Sequence, residues 1–178
     1  MTHSEKKIIL VSGAPGSGKT TFSRALADRL GYALIAKDDL KESIFDSLDG
    51  PVGDRAFSRK IGGAAMELLW MLAERCPRVI LEANFRPHSE LERTRLEALT
   101  GSILEIHCTC PKEECVRRYN ERADSVERHR THFGKLTVDT LSEFDIPVSI
   151  GQVIEVDTAK PVVIDDLTAE ILRIWNKS

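Results

Sequence analysis

Gly13-Ala14-Pro15-Gly16-Ser17-Gly18-Lys19-Thr20 sets glycines at both ends of a turn and follows them with a lysine and a threonine, the G-x-x-x-x-G-K-[ST] spacing of a P-loop. The glycines allow a turn tight enough to aim several backbone N–H groups inward, and a following helix would add its own N-terminal N–H groups, so the segment reads as a cradle for phosphates. Lys19 is expected to reach the terminal phosphates and the Thr20 hydroxyl to ligate Mg²⁺. The expected nucleotide-binding set is Gly13, Ala14, Pro15, Gly16, Ser17, Gly18, Lys19, Thr20 and the adjoining Thr21. A glycine-rich turn that bound nothing would have no use for Lys19 and Thr20 together.

Phosphoryl transfer also needs a proton acceptor, a carboxylate near the metal and cations against the transferring charge. Lys37-Asp38-Asp39-Leu40-Lys41-Glu42 follows a short β-rich run. Asp39 with Glu42 three residues on reads as a helix cap with its reciprocal glutamate, which frees Asp38 to act as general base on an acceptor hydroxyl. The converse, Asp38 as cap and Asp39 toward solvent, is the alternative. Val79-Ile80-Leu81-Glu82 is an apolar run ending in an acid, so Glu82 is a candidate for Mg²⁺ or its waters, or else it simply ends a strand. Asn84 would point to the same side as Glu82 in an extended chain and is assigned to substrate.

Arg118 and Arg122 fall four apart on one face of a helix expected to begin at Pro111, where two guanidinium groups can fold over a triphosphate. Glu114 offers Arg118 an ordinary surface partner and Glu113 offers Arg117 one, whereas Arg122 has only Arg118 four residues before it. Arg128 and Arg130 carry the basic character onward to complete a lid or contact substrate. Asp157-Thr158-Ala159-Lys160-Pro161 follows the last β-rich run and either borders the nucleobase, through Asp157, or is a plain connection.

Positioning these residues is the task of alternating strands and helices. Strands are expected at 8–12, 33–36, 78–82, 102–108 and 153–156, and helices near 18–30, 40–48, 54–75, 88–99, 111–123 and 165–176. This alternation is that of a parallel sheet covered on both faces, whose ligands sit beyond the carboxyl ends of the strands. The helix after the P-loop should bury Phe22, Ala25, Leu26 and Leu30 and stop at Gly31. Segment 124–152 is irregular, with a weak helical pattern at 137–144, and suits a lid. Gly62-Gly63-Ala64-Ala65 would allow close approach of a ligand or of another helix.

At 178 residues and 42% hydrophobic, the chain fits a single domain, 1–178, with a lid at about 111–135. A net charge of −3 provides no field for nucleic acid, and no apolar run has the length of a membrane span, which points to a cytoplasmic protein. Cys76, Cys108, Cys110 and Cys115 lack metal-site spacing and read as reduced, mostly buried thiols. His129 and His132 are an H-x-x-H pair, too few ligands for a metal site.

The P-loop, Lys37-Asp38-Asp39-Leu40-Lys41, Glu82-Ala83-Asn84 and Val116-Arg117-Arg118-Tyr119-Asn120-Glu121-Arg122 together resemble the small P-loop kinases. The nearest pattern is the 5′-kinase domain of phage polynucleotide kinase and its relatives: zeta toxins, chloramphenicol phosphotransferase and gluconate kinase. The resemblance runs from about Ile8 to the last helix. It implies a three-layer P-loop fold with a five-stranded parallel sheet of order 2-3-1-4-5, ATP and Mg²⁺ as cofactors, and γ-phosphate transfer to a hydroxyl. By the same resemblance Asp38 is the base, Lys41 holds a substrate phosphate, and Arg118 and Arg122 are the lid arginines. The chain departs from the pattern at Lys41, where polynucleotide kinase has arginine with its bidentate fork, and at Glu82, where aspartate is usual. The expected function is a kinase acting on a hydroxyl of a small metabolite or nucleotide-like acceptor. A polynucleotide 5′-hydroxyl is the runner-up acceptor, and a nucleotide-binding switch without an acceptor is the reading from another class.

Overall fold

A computed structural model describes residues 6–123, 125 and 128–176. The chain runs β1 (Lys7–Gly13), α1 (Lys19–Leu30), β2 (Ala33–Ala36), α2 (Lys37–Ser47), α3 (Arg55–Arg75), β3 (Arg78–Glu82), α4 (Glu90–Glu97), β4 (Ser102–Thr109), α5 (Lys112–Ala123), a 3-10 turn (Val138–Phe144), β5 (Gln152–Asp157) and α6 (Ile164–Trp175). The five strands form one parallel sheet of order β2-β3-β1-β4-β5. A buried parallel sheet needs apolar side chains on both faces. Ile8, Leu10, Val79 and Leu81 accordingly pack toward Leu69, Trp70 and Ala73 of α3 and Leu96 of α4, while Ile9, Val11, Ile80 and Ile106 pack toward Phe22 and Leu26 of α1 and Leu167 and Ile171 of α6. The expected fold and strand order are those observed.

Register sets the site. Val11 pairs with Glu82 and Ala36 pairs with Glu82, so the carboxyl ends of β1, β2 and β3 finish side by side. The P-loop leaves the first, α2 leaves the second without an intervening residue, and Glu82 closes the third. Among the described residues no helix is long and apolar enough to cross a membrane.

Several local expectations are corrected. Helix α2 begins at Lys37, with Ala36 at its N-cap and no side-chain cap, so Asp39 and Glu42 form no capping box and both Asp38 and Asp39 lie in the first turn. Acids there still complement the helix dipole. Ala25 is exposed rather than buried, because α1 turns that face to a cavity, and Ser23 and Ala27 take the buried face with Phe22 and Leu26. Pro111 precedes α5, its carbonyl accepting the Cys115 N–H at 3.0 Å, and so sits at the cap rather than inside the helix. Gly31 does end α1, at φ 67° with its N–H on the Ala27 carbonyl. Gly62 and Gly63 have open space where a Cβ would stand, so neither a ligand nor a helix crowds them.

Candidate active site

The P-loop backbone is shaped by contacts that only glycine permits. At Gly16, φ is 84° and a Cβ would run into the Cys115 carbonyl; at Gly13, φ is 130° and a Cβ would meet the Cys108 carbonyl. The loop is thus pressed against β4 and α5. Gly18, at φ 89°, caps α1 without a side chain, which leaves the first N–H groups of α1 facing the cleft.

Lys19 is buried, and its Nζ donates to the Ala14 carbonyl at 2.8 Å. Burial lowers its pKa from the ordinary value, and Glu82 opposes that fall. A buried ammonium held by one carbonyl favours an added anion. The Thr20 hydroxyl donates to Glu82 Oε2 at 3.1 Å. Burial pushes the Glu82 carboxyl up and Lys19 pulls it down. A hydroxyl oxygen with free lone pairs beside a carboxylate is a hard donor set of the kind Mg²⁺ takes.

Two adjoining cavities open from the loop. One, of about 670 Å³, is lined on its apolar side by Phe22, Ala25, Val162 and Ile164, and its rim holds Thr21, Arg118, Arg122 and Thr158. The other, of about 620 Å³, holds Lys19, Thr20, Asp38, Lys41, Glu82 and Asn84, with Arg122, Arg128, His129 and His132 across from them. Both volumes suit a small-molecule ligand.

Asp38 pairs with Lys37 at 3.0 Å. Burial alone would raise its carboxyl, but Lys37, His132 and Lys19 together hold it below the ordinary value, so it is ionised at neutral pH. Asp39 instead meets Arg24 at 3.5 Å on an exposed edge. Lys41, one turn after Asp38, is 9% exposed and forms no hydrogen bond or ion pair with any described residue. Burial and then Lys37 lower its pKa, against Asp38 and Glu42.

On α5, Arg118 bonds Glu114 at 2.6 Å and reaches the Thr158 carbonyl at 3.3 Å. Arg117 pairs with Glu114 and Glu121 rather than with Glu113, and the two arginines hold the Glu114 carboxyl at about 2. Arg122 bonds the Arg118 carbonyl at 3.3 Å and pairs with no carboxylate among the described residues.

Two expected residues lie elsewhere. Asp157 accepts the Ala159 N–H and pairs with Lys160, and it lines neither cavity although its turn neighbours Thr158 and Lys160 line the first. Arg130 turns away to Asp46, 3.8 Å off, and lies over Phe45, while Arg128 and the two histidines face the cleft. Of the expected lid, Asp124, Val126 and Glu127 lie outside the described residues.

Thr158 was hidden in an ordinary polar turn. Its Oγ1 lies 2.5 Å from the Ser17 carbonyl and 2.8 Å from the Thr109 carbonyl, which clasps the P-loop to the ends of β4 and β5. Only a hydroxyl beside the expected nucleobase turn hinted at it. The four cysteines are free thiols. Burial pushes Cys108 and Cys115 up to about 12, so both behave as packing residues.

Comparison with known proteins places residues 8–143 in a family described as AAA domain. A probable gluconokinase of Schizosaccharomyces pombe is 30% identical over 162 residues, covering 83% of this chain and 82% of that protein. The crystal structure of a candidate kinase from Chloroflexus aurantiacus superimposes with a TM-score of 0.81 at 27% identity, over 95% of this chain and 98% of the other. Shikimate kinase from Acinetobacter baumannii, solved with shikimate, shares the fold at a TM-score of 0.58 and 18% identity, over 98% and 95% of the two chains.

Proposed function

The chain belongs to this AAA domain family and is a P-loop kinase, and from that premise we propose that it transfers the γ-phosphoryl group of ATP to a hydroxyl of a small metabolite that also carries an anionic group. The observation that carries this reading is Lys41, a nearly buried cation that forms no hydrogen bond or ion pair with any described residue, one helical turn from Asp38 in the same cavity. A buried charge needs a counter-charge. A carboxylate on the acceptor would supply it and would set the neighbouring hydroxyl toward Asp38. The gluconokinase relative is named for such a hydroxy acid.

In this reading the P-loop N–H groups and Lys19 hold the phosphates, and Thr20 and Glu82 would hold Mg²⁺, which would supply positive charge against the triphosphate. Asp38 orients the acceptor hydroxyl and takes its proton, while Asn84 contacts the acceptor. Arg122, which pairs with no carboxylate among the described residues, meets charge that develops on the transferring group, and Arg118 is shared between Glu114 and that task. The cavity beside Phe22, Ala25, Val162 and Ile164 takes the nucleobase. The segment near 111–135 forms the lid of a single domain.

The test is ADP release from ATP alone, then with hydroxy acids such as gluconate and shikimate, neutral polyols of equal size, and a 5′-hydroxyl oligonucleotide. Stimulation by a hydroxy acid, lost in Lys41→Met, is the expected result. Equal stimulation by a neutral polyol removes the anionic group from the reading, and ADP release that no acceptor alters returns the chain to a nucleotide switch.

A further inference from the structure

Six lysines and arginines line the cavity that holds Asp38: Lys19, Arg24, Lys37, Lys41, Arg122 and Arg128. Lys19 and Arg122 serve the nucleotide in the reading above, Lys37 pairs with Asp38 at 3.0 Å, and Arg24 pairs with Asp39 at 3.5 Å. Lys41 and Arg128 are left. Neither forms an ion pair with any described residue.

Arg128 is held in place without being neutralised. Its Nη2 donates to the Tyr119 hydroxyl at 2.6 Å, its Nη1 donates to the Gly134 carbonyl at 3.3 Å, and its guanidinium carbon lies 4.6 Å from the centre of the Tyr119 ring. Both oxygens are neutral, and a ring face attracts a cation without cancelling its charge. A guanidinium carries five N–H donors in a planar fork, so groups remain for a carboxylate or phosphate. Stacked on the ring and tied at two points, the side chain has little freedom left to lose when such an anion arrives.

The turn that carries Arg128 is anchored on both flanks of the cleft. The His132 N–H donates to the His129 carbonyl at 3.0 Å, while His129 Nε2 stands 3.1 Å from Asp46 and His132 Nε2 stands 2.8 Å from Glu42, both on α2. On the other flank, the Asn120 side chain of α5 bonds both the N–H and the carbonyl of Leu136. Arg130 points away to Asp46 and Phe45, so Arg128 is the arginine of this turn that the cavity receives. Besides burial, the charges that shift Lys41 are those of Lys37, Asp38 and Glu42. All three belong to α2, so Arg128 stands apart from Lys41 and each cation can take an anion of its own.

We propose that Arg128 is a specificity-determining residue that binds a second anionic group of the acceptor, with Tyr119 as its positioning residue, so that the preferred acceptor is a hydroxy acid charged at both ends, one charge on Lys41 and the other on Arg128. A dicarboxylic or a phosphorylated hydroxy acid has this form. The anion site rests on the geometry around Arg128, and its service to an acceptor rests on the phosphotransfer reading above.

The test loads the full chain with Mg²⁺ and AMPPNP, which fills the P-loop, and measures by calorimetry the binding of three six-carbon chains with no, one and two carboxylates: sorbitol, gluconate and glucarate. Glucarate should bind about tenfold more tightly than gluconate, the scale of one hydrogen bond to a charged group. In R128M that advantage should vanish while gluconate keeps its affinity. R128K, with the charge but no fork, and Y119F, with the ring but no hydroxyl, should each lose part of it, and R130M should keep it whole. 6-Phosphogluconate, with phosphate in place of the second carboxylate, should show the same dependence on Arg128, and the tighter of the two ligands names the second anion. AMPPNP affinity should be the same in all four variants.

Two-anion ligands that bind no better than gluconate, or an advantage that R128M retains, overturn the proposal. So does a loss of AMPPNP affinity in R128M, which would assign Arg128 to the nucleotide. If the affinities behave as described while no hydroxy acid raises ADP release from ATP, the Arg128 site stands and the phosphotransfer reading falls. If gluconate is phosphorylated and the advantage is absent, the reverse holds.

Discussion

The Thr20 hydroxyl donates a hydrogen bond to Glu82 across 3.1 Å, which joins the first turn of α1 to the last residue of β3 at the floor of the cleft. The lone pairs of Thr20 remain available. A cation bound there would find the Thr20 oxygen and the Glu82 carboxylate side by side, a hard oxygen donor set.

Thr20→Ala should therefore weaken nucleotide binding in Mg²⁺ by about tenfold, the lower end of the usual loss when metal-site support is removed, and leave binding in EDTA near wild type. Calorimetry in the two buffers measures both. Equal losses in each would remove Thr20 from the metal site.

Asp38→Asn should keep ATP affinity and cut acceptor phosphorylation by about 10²-fold or more, the scale of a positioned general base. Asp39→Asn should be nearly silent, since its exposed pair with Arg24 at 3.5 Å belongs to a class that contributes about 0–1 kcal/mol. Both variants are read by ATP calorimetry beside γ-phosphate transfer. A silent Asp38→Asn would deprive the kinase reading of its base.

Arg122→Ala should lower turnover by about 10²–10³-fold with little change in ATP affinity, as loss of a donor to developing charge does. Arg117→Ala should alter neither, because Arg117 is spent on Glu114 and Glu121. Steady-state kinetics of the pair gives the contrast, and equal effects would return Arg122 to the surface.

Gly16→Ala forces a Cβ into the Cys115 carbonyl at φ 84°, and strain of this kind costs about 1–3 kcal/mol. Thermal unfolding should show a lower Tm, together with weaker nucleotide binding because the loop must leave its seat on α5. An unchanged Tm would show that the loop relaxes freely.

Ser12, Glu105 and His107 form a buried network in which Ser12 donates to Glu105 at 2.5 Å and therefore accepts from His107 Nδ1 at 2.8 Å, while Glu105 also accepts the Val148 and Ser149 N–H groups. Burial holds the His107 imidazole below its ordinary value of 6.5, against Glu105 and Glu155. Stability from the neutral ring is fully present above 6.5 and is lost as pH falls below it toward the lowered value. His107→Asn keeps an N–H for Ser12 but cannot charge, so its Tm should fall less than that of the wild type across this window. Parallel curves would exclude His107 as a source of acid lability.

The P-loop, the strand order and the cleft positions of Asp38, Glu82 and Arg122 were legible because each follows from local chain: a fixed spacing, an apolar run with an acid at its end, a four-residue step on a helix. Asp39 and Glu42 misled because a capping box is a local signal, and here the strand passes directly into the helix at Lys37, which moves the start three residues earlier. His129 and His132 looked like an incomplete metal pair because their partners, Glu42 and Asp46, are more than eighty residues away. Thr158 and Lys41 draw their meaning from what surrounds them, a pair of carbonyls in one case and the lack of a hydrogen bond or ion pair to any described residue in the other. No spacing records that.

Thr158 makes the two halves of the cleft unequal in stiffness. By clasping Ser17 to Thr109 while its carbonyl receives Arg118, it joins the phosphate loop, the edge of the sheet and the arginine helix into one frame around the nucleotide. A mould already set pays little entropy when it is filled. The ordering cost of each cycle then falls on the other half, where a turn of chain is held to α2 by side chains alone, and the slow opening that lets product leave is expected there rather than at the phosphates.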